Sequence, residues 1–255
     1  MVSILFGASQ DKSIETPDYC GEMMHYRLKY GLLNIGFASI SCLEDSEGRT
    51  GTIKAEARSS GWIKIFKNLD YCFECCMDIT TGLPNSTNIN LRDGRDIVDT
   101  KLNFDRNSRS DSTIVFCDIS GKHVVQNNIH DILTGFYHFR KNAINENVNK
   151  KEDIVIKTFF MGDLWDLRIR YAGEEIIKTK YGNHLCDKYN PVTIIGRYFK
   201  NDDDMSIWFT QDEIPIPVKI RLNLKLGSIH SELIEYQKSN SSFSTTCLAS
   251  NLFLQ

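Results

Sequence analysis

The side chains best suited to chemistry gather on one stretch, Asn127 to Asn145, NNIHDILTGFYHFRKNAIN. His130, Asp131, His138 and Arg140 would make an acid–base or metal-binding set if they converged. On a continuous helix, however, eight residues separate the two histidines by about 12 Å, too far to share one ion. The competing reading gives these groups capping, rim and hydrogen-bonding roles around a docked helix. Arg140 differs because it falls on the same apolar stripe as Phe136 and Tyr137. A guanidinium there needs a carboxylate or carbonyl partner, or else an anionic ligand, and the structural partner is the stronger expectation.

Three cysteines, Cys72, Cys75 and Cys76, suggest a metal or redox site. In a strand, Cys72 and Cys76 face one side and Cys75 the other, so they cannot converge on one ion without a bulge. Asp202, Asp203 and Asp204 lack the alternating ligands and distal Glu of a calcium loop and read as a solvated hairpin turn. Trp62, Trp165 and Trp208 all fall in strand patterns, as core or rim residues or as the lining of a lipid or sugar pocket. No GxSxG, HExxH, P-loop or GxGxxG motif occurs. The candidate ligand-binding residues are therefore Tyr137, Arg140, Trp165 and Trp208. No catalytic residue, metal ligand or cofactor is assigned, and the expectation is a protein that is not an enzyme.

The elements that position these residues are mostly strands. Ile129, Leu133, Phe136, Tyr137, Arg140 and Ile144 recur at three- and four-residue steps, which predicts a helix over 128–145 capped by Asn127 or Asn128. Before it, alternating segments within 21–43, at 52–57, 62–66 and 69–79, around Asp93-Gly94, and at 113–118 and 123–126 form a strand block over 21–126. After it, 154–160, 164–171 and 175–180, a hairpin of 194–199 with 205–210, and a second hairpin around Gly227 form a block over 154–236. Ala172-Gly173 reads as a turn, and Pro215 and Pro217 belong at a strand start or sheet edge. About a dozen antiparallel strands with one central helix predict a mainly β protein, a large curled sheet or barrel.

With 255 residues, 41% hydrophobic and 25% charged, the chain is long enough for one large packed β domain, placed at 18–236. A net charge of -3 with dispersed Lys and Arg argues against nucleic acid as a partner. The opening MVSILFGASQ reads as the remnant of a signal peptide over 1–10, which implies export, or alternatively as a short apolar strand. No run approaches the ~18 apolar residues of a transmembrane helix. Eight scattered cysteines leave disulfide pairing open. The tail at 237–255 is unassigned.

Several pieces together resemble the family catalogued as domain of unknown function 3108, found in exported bacterial proteins and common in Bacteroidetes. They are GEMMHYRLKYGLLNIGFA at 21–38, LDYCFECCMDITTGLP at 69–84, HDILTGFYHFR at 130–140, GEEIIKTKYGNHLCDKYNP at 173–191, IWFTQDEIPIPVKI at 207–220 and GSIHSEL at 227–233. The resemblance implies an exported, mostly antiparallel β protein, similar in architecture to barrel-like lipoproteins of the YmcC type associated with capsule export. The chain departs from the family pattern in its Cys-rich strand at 72–76, its incomplete signal and its tail after Tyr236. The resulting expectation is a periplasmic or cell-envelope protein that binds a lipid-like or glycan ligand in the concavity of its sheet, with the helix as plug or lid. The alternative is a structural or assembly module of the envelope acting through protein contacts.

Overall fold

The computed structural model describes residues 19–45, 47–61, 68–144, 152–192, 201–225 and 227–239. The sequence expectations for the signal remnant, the strands at 62–66 and 194–199, Trp62, Cys247 and most of the tail fall outside the described residues.

Among the described residues, fourteen strands form one antiparallel sheet. In chain order they are β1 (Glu22–Tyr30), β2 (Leu33–Glu44), β3 (Thr50–Ser59), β4 (Leu69–Asp78), β5 (Pro84–Asp93), β6 (Asp96–Asp105), β7 (Ser112–Cys117), β8 (Gly121–Gln126), β9 (Ile154–Phe160), β10 (Asp163–Thr179), β11 (Gly182–Pro191), β12 (Met205–Thr210), β13 (Pro217–Leu224) and β14 (Gly227–Lys238). The sheet order is β8-β7-β6-β5-β4-β3-β2-β1-β14-β13-β12-β11-β10-β9. Each half is thus a plain meander. The first and last strands zip the halves together in mid-sheet, with Tyr26 opposite Leu233, while the two free edges, β8 and β9, flank the helix in sequence.

Curling brings those edges near each other without ladder pairing between them. Ile89, Leu102, Phe104, Val115, Cys117 and Val125 from the β8 side pack with Phe159 of β9. The His123 ring lies 5.0 Å from the Phe159 ring. Part of the β9 edge is occupied by the segment entering the helix: the His130 N–H donates to the Lys157 carbonyl (3.0 Å), and the Phe159 N–H to the His130 carbonyl (2.8 Å).

The helix, α1 (Ile132–His138), is shorter than its periodicity suggests and continues as a π-helical turn, Phe139–Ala143. Asp131, not Asn127 or Asn128, caps it. Its side chain accepts from the Thr134 N–H, and the Thr134 hydroxyl accepts from the Asp131 N–H, a reciprocal box that starts the helix at residue 132. Asn128 at φ 52° helps turn the chain out of β8. The apolar stripe is buried as its spacing demands: Ile129, Leu133, Tyr137, Arg140 and Ile144 are all buried. Phe136 is half-buried between two core clusters, one from β9–β12 and one from β2–β4.

Two further sequence expectations change. Ala172-Gly173 is no turn: β10 runs unbroken for 17 residues, with a bulge between Tyr171 and Glu174 that Gly173 accommodates at φ 100°. β11, left unassigned in sequence, pairs with both β10 and β12. Pro217 does begin a strand, as its missing N–H requires.

Candidate functional site

Arg140 sits at the centre of the curl with its side chain wholly buried. Its Nη1 and Nη2 donate to the two Glu22 carboxylate oxygens at 2.9 and 3.2 Å, and its Nε donates to the Pro215 carbonyl at 2.8 Å. The Tyr236 hydroxyl donates to the same Glu22 carboxylate, and the guanidinium lies over the Phe136 and Tyr137 rings. Burial alone would lower the Arg140 pKa, but the Glu22 charge and hydrogen bonds outweigh it and hold the guanidinium above its ordinary value. Arg140 therefore has its carboxylate and carbonyl within the protein. This network ties α1 to β1, β14 and the loop before β13.

Beside it opens a cleft of about 130 Å³ lined by Tyr19, Ile79, Thr80, Thr81, Gly82, His130, Tyr137, His138 and Lys141. The turn from β4 to β5 supplies Thr80 and Thr81, with Asp78 accepting from the Thr81 N–H and hydroxyl. Tyr19, just before β1, packs against Tyr137 with ring centroids 4.6 Å apart and ring planes tilted by 41°, and Lys141 of the π turn stands over the Tyr19 ring. The buried Tyr137 hydroxyl has no hydrogen-bond partner among the described residues. Its pKa is raised well above normal by burial, reinforced by Cys42.

The two histidines overturn the sequence expectation of about 12 Å: their rings are 4.7 Å apart. His130 precedes the cap, and its extended backbone runs alongside the helix, where a Cβ at Gly135 would lie 3.7 Å from His130 Cβ, so its ring reaches that of His138. Burial, then the neighbouring His138 and Arg106, lower the His130 pKa to about 4, which leaves it neutral at pH 7. Two imidazoles alone do not complete a metal site, and among the described residues no three His, Cys, Asp or Glu side chains gather for one. Asp131 is engaged by Thr134 and by the Thr87 hydroxyl.

Of the four ligand candidates, Tyr137 lines the cleft and Arg140, Trp165 and Trp208 do not. Trp165 is half-buried against the β9–β12 cluster. Trp208 is buried, donates to Glu175 at 2.8 Å, and lies beneath Lys188, Lys219 and Arg221. Cys75 is buried while Cys72 and Cys76 on the opposite face are half-buried, the alternation a strand imposes. In the acidic turn, Asp204 accepts from Asn201 and Asp202 pairs with Arg170, so both serve the fold. Sequence reasoning missed Tyr19, Thr80, Thr81 and Lys141 as cleft residues. The Asp131-x-x-Thr134 capping signature would have revealed that His130 stands outside the helix.

Fold and site together define a curled, unclosed single-sheet β protein plugged by its own helix. The chain belongs to the family described as protein of unknown function DUF3108, whose model matches residues 25–234. No curated protein matches it. Among solved structures, a β-barrel-like protein of domain of unknown function DUF1849 from Brucella abortus superposes with a TM-score of 0.58 at 8% identity, covering 88% of this chain and 100% of that one. That likeness shows the fold. The hypothetical protein CT021 from Chlamydia trachomatis gives a TM-score of 0.38 at 7% identity, covering 90% and 92%, and carries no argument. Neither geometry nor comparison gives positive evidence of catalysis. No helix among the described residues is long and apolar enough to cross a membrane.

Proposed function

We propose that this protein is an exported, non-catalytic binding protein of the cell envelope, and that it takes a sugar-sized polar group of a glycan in the cleft beside α1. The observation that carries this reading is a cleft of about 130 Å³ in which Tyr19 and Tyr137 stand beside the polar side chains of Thr80, Thr81, His130, His138 and Lys141. Tyr19 and Tyr137 give the cleft an apolar wall, and the surrounding groups offer donors and acceptors for the edge of a sugar. The lipid-like alternative is disfavoured: the concavity holds α1 and its aromatic side chains, and the cleft is well below the ~300 Å³ or more of typical small-molecule sites.

The test is a glycan array screened with the full chain, then calorimetry with the tightest-bound glycan on wild type and Thr80→Ala. Loss of one hydrogen bond should weaken binding roughly tenfold while leaving the melting temperature nearly unchanged, because Thr80 is exposed in the free protein. Absence of glycan binding, or unchanged affinity in the variant, overturns the reading and favours an envelope assembly module acting through protein contacts.

A further inference from the structure

Cys20 and Cys42 place their sulfurs 3.5 Å apart, a contact already within hydrogen-bonding range. The surrounding backbone is fixed. The Gly21 N–H donates to the Cys42 carbonyl at 2.7 Å, Glu22 is the register partner of Cys42 across β1 and β2, and the Gly21 carbonyl accepts from the Ser239 N–H. Gly21 holds φ 84°, and a Cβ there would collide with the Ser239 carbonyl oxygen, so the approach of the chain to Cys42 depends on glycine. Among the other described cysteines, Cys72 and Cys76 face away from Cys75 across the sheet, Cys117 lies against Thr100, and Cys186 donates to the His184 carbonyl.

We propose that Cys20 and Cys42 form a reversible disulfide that pins the chain entering β1 onto β2. Closing from 3.5 Å to the ~2.05 Å of a disulfide shortens the sulfur–sulfur contact by about 1.5 Å. The oxidant is a disulfide, either a small molecule such as oxidised glutathione or a protein. Cys20 is half-buried and Cys42 wholly buried, which sets the order of events. The Cys20 thiolate, its proton released to solvent, attacks one sulfur of the oxidant and expels the other as a thiolate. Cys42 then loses its proton and attacks Cys20 Sγ of the mixed disulfide, expelling the second thiolate. Two electrons and two protons pass to the oxidant, which leaves as two thiols. The bond closes a loop across 22 residues and removes freedom from the unfolded chain. In the folded protein it fixes Tyr19, which packs against Tyr137.

The experiment treats reduced full-length protein with oxidised glutathione, then alkylates the denatured product and maps its peptides by mass spectrometry. The expected result is loss of two alkylatable cysteines, one linked peptide pair joining Cys20 to Cys42, a rise in melting temperature of roughly 5 °C, and reversal of all three by dithiothreitol. Cys20→Ser should fold, form no linked pair at Cys42 and show no temperature rise. A glutathione adduct that persists on Cys20, a linkage between other cysteines, an unchanged thiol count, or a temperature rise retained in Cys20→Ser would each overturn the proposal. No glycan enters this experiment, so its outcome is independent of the ligand reading.

Discussion

Arg140 donates two hydrogen bonds to Glu22 in a site buried from solvent, and removing either partner leaves the other charge buried without its counter-charge. Glu22→Gln should therefore destabilise the protein by about 3–5 kcal/mol in urea denaturation. Replacing both residues by apolar ones of similar volume, as in Glu22→Leu with Arg140→Met, should recover most of that loss; a double variant as unstable as the single one would show that the pair does more than neutralise itself. His130 makes the complementary prediction for pH. Its folded-state pKa, near 4, lies below the ordinary 6.5, so the native state binds the proton less readily than the unfolded chain. Stability from this group is complete above pH 6.5 and declines as pH falls from there to about 4, by up to about 3 kcal/mol. Denaturation midpoints measured across that range should show the decline in wild type and a shallower one in His130→Gln.

At the scale of elements, α1 is held by a cap at one end, the Arg140 network at the other, and a close approach to β9 between them. Gly135 makes that approach: a Cβ placed there would lie 3.3 Å from Thr158 Cγ2 and 3.7 Å from Ile156 Cγ2. Gly135→Leu should thus overpack the contact and lower stability by about 1–3 kcal/mol despite leucine's better helix propensity, as measured by thermal melting. The existence of this helix, its buried stripe and the need of Arg140 for a carboxylate were legible because spacing of 3.6 residues and the chemistry of a buried charge are local facts. Its start was not, because the Asn pair and Asp131 all qualify as caps and only the Thr134 reciprocity distinguishes them. The long β10 was read as two strands for a related reason: Gly173 serves a bulge as readily as a turn. The cleft was least legible, since Tyr19, Thr80 and Lys141 come from three separated segments whose meeting is a property of the curl.

For the molecule as a whole, the sheet order puts the burden of closure on side chains. Among the described residues, the two meanders share ladder hydrogen bonds only through β1 and β14, whose paired residues lie about two hundred positions apart in sequence. At the opposite side, edges β8 and β9 meet through packing, with Phe159 wholly buried among Ile89, Leu102, Val115 and Val125 and against the His123 ring. An open edge is a template for pairing with another chain, and here the cover of the β8 edge depends on that ring. Phe159→Ala should cost about 3–5 kcal/mol by leaving a cavity at the closure. It should also loosen β8 from β9, so that light scattering at rising protein concentration detects association in the variant and none in wild type under the same conditions. Matched destabilisation at a site away from the edges, such as Met77→Ala in the β2–β4 cluster, separates the two effects. If that variant associates equally, loss of stability alone explains the association; if it stays monomeric, the packed seam between β8 and β9 is what keeps a fourteen-stranded sheet from adding a fifteenth strand.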